Sequence, residues 1–227
     1  MKRNILYLIF GLFLLASCQQ EELPDVGTGY LAIADLSVEA PQVNVVSSRA
    51  EAAEEPLTIE IVKGESIQTF TESNLPSKIE LEVGDYVLKA YNSQYGKEDE
   101  TGLGAPVYYK EESFTIETNK TTSVEVSVPM INFGVKLDLP DNFNTLFPTS
   151  TFTVSGNERQ VELKDGETAY FSYKKGVTFD YVLSATNKDQ EQRTMEGSYG
   201  TEGESVASGT IYTVTYELGT RSFSITR

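Results

Sequence analysis

Apolar and polar residues alternate with a period of two along most of the chain. The clearest runs are Ile79–Val83, Phe114–Ile116, Val124–Val128 and Val135–Leu139. Successive side chains of a β-strand point to opposite faces, so each run would give a strand one apolar side and one polar side. Such strands pair into sheets that bury one face and expose the other. The pattern therefore predicts an all-β protein built from antiparallel β-sandwiches.

Turn residues separate the predicted strands, as at Lys63-Gly64-Glu65 and Lys164-Asp165-Gly166. The Gly219-Thr220 pair predicts a hairpin at the end of the chain, between strands in 211–218 and 221–226. Beyond residue 28 no long apolar repeat of helical period occurs. A short helix within Asp141–Phe147 is the most helix that the sequence predicts.

One short stretch occurs twice. Asp85–Asn92 reads DYVLKAYN and Asp180–Asn187 reads DYVLSATN. Strand runs precede each copy, and a Gly-rich loop and a Thr/Val-rich strand follow it. We interpret the echo as two tandem β-sandwich modules, immunoglobulin-like or transthyretin-like, at residues 29–131 and 132–227. The alternative is that two amphipathic strands share a composition by convergence.

The N-terminus has the layout of a secretory signal peptide. Two positive charges, Lys2 and Arg3, precede an apolar run that ends in Leu15-Ala16-Ser17-Cys18. The run is too short to span a bilayer, which needs about 20 residues. The order resembles a bacterial lipobox, which implies a signal peptide at 1–17, acylation of Cys18 and a tether at 18–28. A buried core helix or a free thiol is the alternative.

The tether begins with Gln19-Gln20-Glu21-Glu22. This cluster resembles the export signal that follows the acylated cysteine in surface lipoproteins of Bacteroidota, and it implies an outer-membrane protein that faces the cell exterior. The alternative is an ordinary solvated linker.

Composition narrows the chemistry. The chain has 34 acidic and 18 basic residues, a net charge of −16, one cysteine, no histidine and no tryptophan. A surface this acidic repels phosphate backbones, so we expect no nucleic-acid partner. Without histidine or a second cysteine, zinc sites of Cys/His type and triads based on histidine are excluded. We therefore predict no catalytic residues, no metal and no cofactor.

Three weaker chemical signals remain. Paired carboxylates could hydrolyse a glycoside, but no pair stands out among so many acids. Ser172 and Lys175 have Ser-x-x-Lys spacing, but the catalytic motif lies at the start of a helix, whereas these residues lie on a predicted strand and turn. Glu98-Asp99-Glu100 lacks the ligand spacing of a calcium loop and is interpreted as a solvated loop tip.

Four tyrosines lie close together in the sequence around one predicted loop: Tyr91, Tyr95, Tyr108 and Tyr109. Aromatic faces stack on sugars, so these residues are candidate ligand-facing aromatics. The alternative is cross-strand packing, the commoner use of tyrosine in sheets. The alternative function that they support is a carbohydrate-binding surface lipoprotein of a glycan uptake system.

Several motifs together resemble a Bacteroidales lipoprotein family catalogued as domain of unknown function 4493. They are Gly29-Tyr30-Leu31, Leu75–Tyr86 with Ala90, Ala105–Tyr109 with Phe114–Ile116, and the strand to Val128 followed by Ile131-Asn132-Phe133. One departure is Lys110-Glu111-Glu112, where the resemblance leads us to expect a glycine. The resemblance covers the chain from about residue 29 onward and implies a β-sandwich fold, without an established activity.

More distantly, the plan resembles the fimbrillins of Bacteroidales pili. The resemblance implies that a protease cuts after an arginine behind the first strand. The groove that this strand vacates would then accept a strand from the next subunit. Arg49 lies in the required place, in a linker between predicted strands Gly29–Val38 and Leu57–Val62. It is therefore a candidate processing site, and the alternative is a plain linker that contains one arginine.

These observations predict a lipid-anchored surface protein with a structural, adhesive or assembly role and no catalysis. The expected partners are the membrane, through Cys18, and a host surface, a glycan or other surface proteins.

Overall fold

The computed structural model describes residues 27–42, 56–97, 102–201 and 203–227. Strands dominate, and several of them form where the period-two pattern predicts them. The strands of the first half are β1 (Thr28–Val38), β2 (Thr58–Lys63), β3 (Ser66–Thr71), β4 (Ile79–Glu82), β5 (Gly84–Tyr91), β6 (Tyr109–Ile116) and β7 (Thr121–Val128), with a 3-10 turn at Glu72–Asn74.

The second half repeats this order with one helix and one more strand. Its elements are β8 (Phe133–Asp138), α1 (Phe143–Leu146), β9 (Thr149–Gly156), β10 (Arg159–Leu163), β11 (Thr168–Phe171), β12 (Phe179–Thr186), β13 (Gln192–Tyr199), β14 (Ile211–Glu217) and β15 (Ser222–Thr226). The predicted short helix and the C-terminal hairpin are both confirmed, since α1 lies inside 141–147 and β14 pairs with β15. In the described residues no helix is long and apolar enough to cross a bilayer.

Each half contains two sheets. The first has strand orders β4-β1-β7 and β3-β2-β5-β6, and the second has β11-β8-β14-β15 and β10-β9-β12-β13. The all-β sandwich fold predicted from the alternation is therefore confirmed. One feature differs from the prediction: β1 runs parallel to β7, and β8 runs parallel to β14, whereas the other pairs are antiparallel. We call the halves the first module and the second module.

The repeated sequence occupies the same position in both modules. Its two copies form β5 and β12, each the third strand of a four-stranded sheet. The register matches as well, because Leu88 lies opposite Ile61 on β2 and Leu183 lies opposite Phe152 on β9. Both leucines are fully buried. The echo therefore marks equivalent strands of two modules with one plan.

Each module has an apolar cluster between its two sheets. The first includes Leu31, Leu88 and Ile116, and the second is rich in aromatic rings, with Phe133, Phe179 and Tyr212 in mutual contact. Ile211, at the start of β14, packs in the first cluster although the rest of its strand belongs to the second. The two cores thus touch at the junction of the modules.

Buried amides organise this junction. Asn132 accepts a hydrogen bond from Val107 N (2.9 Å) and donates one to Ala105 O (2.9 Å), and Asn92 accepts from Tyr108 N (3.1 Å). Arg159 of the second module donates to Tyr170 O (2.7 Å) and to Gly102 O. These bonds tie the loop at 102–108 to both modules, and they give the buried amides of Asn92 and Asn132 partners.

Candidate functional site

Three of the four sequence-predicted tyrosines form one cluster on the solvent-facing side of the β3-β2-β5-β6 sheet. Tyr91 on β5 and Tyr109 on β6 lie directly opposite each other, and Tyr95 folds back from the following turn. The Tyr95 ring stacks on Tyr109 with centroids 4.2 Å apart and planes 8° apart, and it lies 5.3 Å from the Tyr91 ring at 43°. We call Tyr91, Tyr95 and Tyr109 the tyrosine patch.

Tyr108 is not part of the tyrosine patch. It precedes Tyr109 by one residue, and alternation therefore turns its side chain to the opposite face, where it is 5% exposed within the first core. Its hydroxyl is buried and has no hydrogen-bond partner among the described residues. Burial raises the pKa of this hydroxyl. The expectation that Tyr108 faces a ligand is thus not met by the geometry, which makes Tyr108 a core residue at the junction.

Two carboxylates fix the strand tyrosines. The Tyr91 hydroxyl donates to Glu60 Oε1 on β2 (2.7 Å), and the Tyr109 hydroxyl donates to Glu111 Oε2 on its own strand (2.6 Å). Such charge-assisted bonds are short and strong, and they hold the two rings in one orientation. The hydrogen bond to Glu60, followed by burial, raises the pKa of Tyr91 to about 12. Glu111 and burial likewise raise the pKa of Tyr109.

Sequence reasoning missed these carboxylates for different reasons. Glu60 lies on another strand, far from Tyr91 in the chain, so only strand pairing reveals it. Glu111 was detectable, because residues two apart on a strand share a face and Tyr109-Lys110-Glu111 has that spacing. The resulting site has three aromatic rings and carboxylates whose remaining lone pairs can accept hydrogen bonds.

The three rings can stack on a ligand, and the carboxylates can accept hydrogen bonds from it. Tyrosyl hydroxyls held by carboxylates remain protonated well above neutral pH. In the described ranges, no group of three or more acidic or cysteine side chains could hold a metal ion. Glu98-Asp99-Glu100, which was weighed as a calcium ligand set, lies outside the described residues. Ser172 follows β11 and Lys175 lies in the next turn, so this Ser-x-x-Lys spacing does not open a helix.

A second feature is the placement of the first strand. Thr28–Leu31 pair with β4, and Tyr30–Val38 pair with β7, so β1 is inserted between two strands of its sheet. The chain then crosses to the second module. Gln42 N donates to Gly209 O (2.9 Å), and Ile211 N donates to Gln42 O (3.2 Å). The segment that follows the predicted tether is thus bonded to both modules.

Cys18 and Arg49, the predicted lipidation and processing residues, lie outside the described residues. Their roles stay predictions.

The chain matches a known family over most of its length. Residues 27–226 match the family described as Domain of unknown function (DUF4493), and the chain belongs to this family. The resemblance inferred from the strand-and-turn motifs is therefore confirmed. The family description assigns no activity. A search of curated proteins gives no match.

Several solved structures from Bacteroidales species resemble the chain at low identity. A candidate cell adhesion protein from Bacteroides uniformis is 11% identical, with 88% of this chain and 95% of that chain covered and a TM-score of 0.46. A fimbrial assembly protein from Parabacteroides distasonis is 8% identical (88% and 97% covered, TM-score 0.44). A candidate polysaccharide-binding protein from Bacteroides thetaiotaomicron is 10% identical (85% and 92% covered, TM-score 0.39). At these scores the likeness carries no conclusion about function.

Proposed function

We propose that this protein is a cell-surface lipoprotein with a structural and adhesive role and no catalytic activity. In this proposal acylated Cys18 holds it to the outer face of the outer membrane. The observation that carries the proposal is the tyrosine patch, which clusters three aromatic rings, two of them stacked, on the outward face of a sheet. Aromatic residues are enriched at recognition surfaces because they give a large contact area with few rotatable bonds.

The first strand supports the structural part of the proposal. A protein anchored through Cys18 receives any pull from the membrane through β1, which directly follows the tether. Because β1 is bonded to β4, to β7 and, through Gln42, to the second module, the pull is shared among many hydrogen bonds. Such an attachment suits a subunit that holds a contact under tension.

Adhesion of cells that express the chain tests this function. Bacteria expressing wild-type protein, the Cys18→Ala variant or no protein are compared for incorporation of radiolabelled palmitate, cleavage of the protein by external protease, and retention on surfaces coated with extracellular-matrix proteins or glycans. We expect labelling, external cleavage and retention for the wild type, and loss of all three for the variant. Wild-type protein that resists external protease, or retention equal to that of cells without protein, would contradict the proposal.

A second candidate function is assembly by strand exchange after cleavage at Arg49. One observation favours it: in β1 the side chain of Leu31 is fully buried, whereas Ala34, Asp35, Ser37 and Val38 are exposed. Ile33 and Leu36 are half-buried against the first core, so β1 has less buried area than a core strand and is easier to displace. The alternative remains a plain linker with one arginine.

Limited digestion with an arginine-specific protease distinguishes assembly by strand exchange from a plain linker. Cleavage after Arg49, followed by appearance of oligomers in size-exclusion chromatography, would support assembly. Protein that stays intact at Arg49 while other loops are cut would exclude it.

A further inference from the structure

The tyrosine patch has a row of charged side chains beside it. On the same outward face, two residues along each strand, Glu60, Lys89 and Glu111 lie opposite one another on β2, β5 and β6. The aromatic row and the charged row are therefore adjacent. Two acceptor groups and one donor group border three aromatic rings on a surface that is open to solvent.

We infer that this surface binds a neutral oligosaccharide, with a sugar ring stacked on the tyrosine patch and its hydroxyls bonded by the charged row. The inference rests on the proposed adhesive function and names its ligand class. Sugar rings present C–H groups on one face, which pack on the negatively polarised face of an aromatic ring. Their hydroxyls both donate and accept, which matches carboxylates flanking an ammonium group.

The patch is organised before any ligand arrives. Glu60 and Glu111 each accept a hydrogen bond from a tyrosine of the patch, so the Tyr91 and Tyr109 rings are held in place. Tyr95 stacks on Tyr109 and is 39% exposed, so part of its ring is accessible to a ligand. Side chains that are already ordered lose little conformational entropy on binding, and a weak polar ligand needs that advantage.

Charge favours a neutral ligand over an anionic one. The charged row has two carboxylates and one ammonium group, and the chain as a whole has a net charge of −16. Sulfated or uronic-acid glycans would therefore be repelled at close range. Nucleic acids and anionic lipid headgroups are disfavoured for the same reason.

The second module provides an internal comparison. Its strands have the same register, so each position of the surface has a counterpart on the other module. Tyr91 and Tyr109 correspond to Thr186 and Gln192. The charged row corresponds to Thr151, Ser184 and Thr194. The second module thus has the same scaffold without the aromatic rings or the charges, and we expect it to bind no sugar.

A glycan array followed by calorimetry tests the inference. Acyl-free protein from Gln19 onward is applied to neutral and anionic oligosaccharides, and the best neutral binder is titrated into wild type, Tyr95→Ala, Glu60→Gln and Tyr173→Ala. Tyr95 lies in a turn, so its truncation leaves the strands intact. Tyr173 is a similarly exposed tyrosine (36%) of the second module and serves as the matched control.

We expect saturable binding of neutral glycans that Tyr95→Ala weakens at least about tenfold, that Glu60→Gln also weakens, and that Tyr173→Ala leaves unchanged. Absence of neutral binders, preference for anionic glycans, or equal affinity of Tyr95→Ala and Tyr173→Ala would overturn the inference. If whole cells still adhere to protein-coated surfaces in those cases, the adhesive function stands and the glycan assignment alone fails.

Discussion

The two modules have the same strand order, but their first strands, β1 and β8, are buried to different extents. β8 buries Phe133, Gly134, Val135 and Leu137 and joins the second core along most of its length. β1 occupies the equivalent place between β4 and β7, yet most of its C-terminal half is exposed or half-buried. The strand nearest the predicted anchor is therefore held mainly by backbone hydrogen bonds, whereas its counterpart is held by the core.

The solvent-facing sides of the equivalent sheets, β3-β2-β5-β6 and β10-β9-β12-β13, also differ. In the first module the tyrosine patch and its charged row cover one end of the sheet, while threonine, serine and glutamine occupy the corresponding positions of the second. Backbone register is conserved between the modules and surface chemistry is not. This contrast supports the proposal that the shared plan supplies the scaffold and that the first module carries the recognition surface.

Substitution of a glycine in each first strand should give the largest effect. A Cβ on Gly29 would collide with Glu117 O and lie 2.8 Å from Ile116 Cγ2 and 3.0 Å from Lys120 O, so two of its three neighbours are backbone atoms. At Gly134 of β8 the nearest atoms are side-chain carbons at 3.0–3.3 Å, which can move. We expect Gly29→Ala to lower the free energy of unfolding by about 3 kcal/mol and Gly134→Ala by about 1 kcal/mol.

Urea denaturation of both variants beside the wild type measures this contrast. Equal losses, or a greater loss for Gly134→Ala, would show that β1 is not seated as described.

Hydrogen exchange should show the next largest difference. The Ala32–Val38 part of β1 pairs with β7 alone, while half of β8, Gly134–Lys136, is paired with strands on both sides. Amides with few buried neighbours open locally at lower cost. We expect the Ala32–Val38 amides to exchange at least about tenfold faster than those of Phe133–Asp138 at neutral pH. Mass spectrometry of peptic fragments measures both segments in one sample, and equal protection would remove the contrast between the strands.

The link between modules should give a smaller effect. Gln42→Pro removes the amide that donates to Gly209 O, whereas Gln42→Ala keeps it. We expect the proline variant to lose about 1 kcal/mol of unfolding free energy, the usual worth of one such hydrogen bond, and the alanine variant to behave as wild type. Thermal unfolding detects the loss. An equal effect of both substitutions would mean that the Gln42 side chain, and not its backbone, matters.

The titration of Tyr91 should give the smallest effect on stability. Its folded-state pKa of about 12 exceeds its ordinary value of 10.0 because Glu60 accepts its proton in a hydrogen bond. The stabilisation is therefore complete below pH 10 and is lost as the pH rises through 12. Glu60→Gln should lower the pKa of Tyr91. In an alkaline titration, the absorbance of tyrosinate near 295 nm would then rise at a lower pH than in the wild type. The buried Tyr212 of the second module owes its raised pKa first to burial, so Glu60→Gln should leave it unchanged.

Local patterns predicted the strands and turns well because alternation and turn residues are local properties. The pattern at Val124–Val128 appears as β7, and Gly219-Thr220 lies in the turn between β14 and β15. The parallel pairing of β1 with β7 was not predictable, since it joins segments far apart in the chain. Nor did the sequence reveal that Gln42 reaches the second module.

The site was half predictable for the same reason. Proximity in sequence brought Tyr91, Tyr95 and Tyr109 together correctly, but it also included Tyr108, which alternation turns into the core. Glu60 entered the site through a strand pairing that no short motif encodes. Residues that are close in the chain can be recognised from the sequence. Residues that face each other on neighbouring strands can be recognised only when the strand register is known.

The most direct test of a recognition surface confined to the first module is an NMR titration with tyrosine rings labelled. Acyl-free protein is titrated with the neutral oligosaccharide that binds best on the array. We predict chemical-shift changes at Tyr91, Tyr95 and Tyr109, with the rings of Tyr173 and Tyr212 unchanged. Shifts confined to the second module, or no shifts at saturating ligand, would contradict this account.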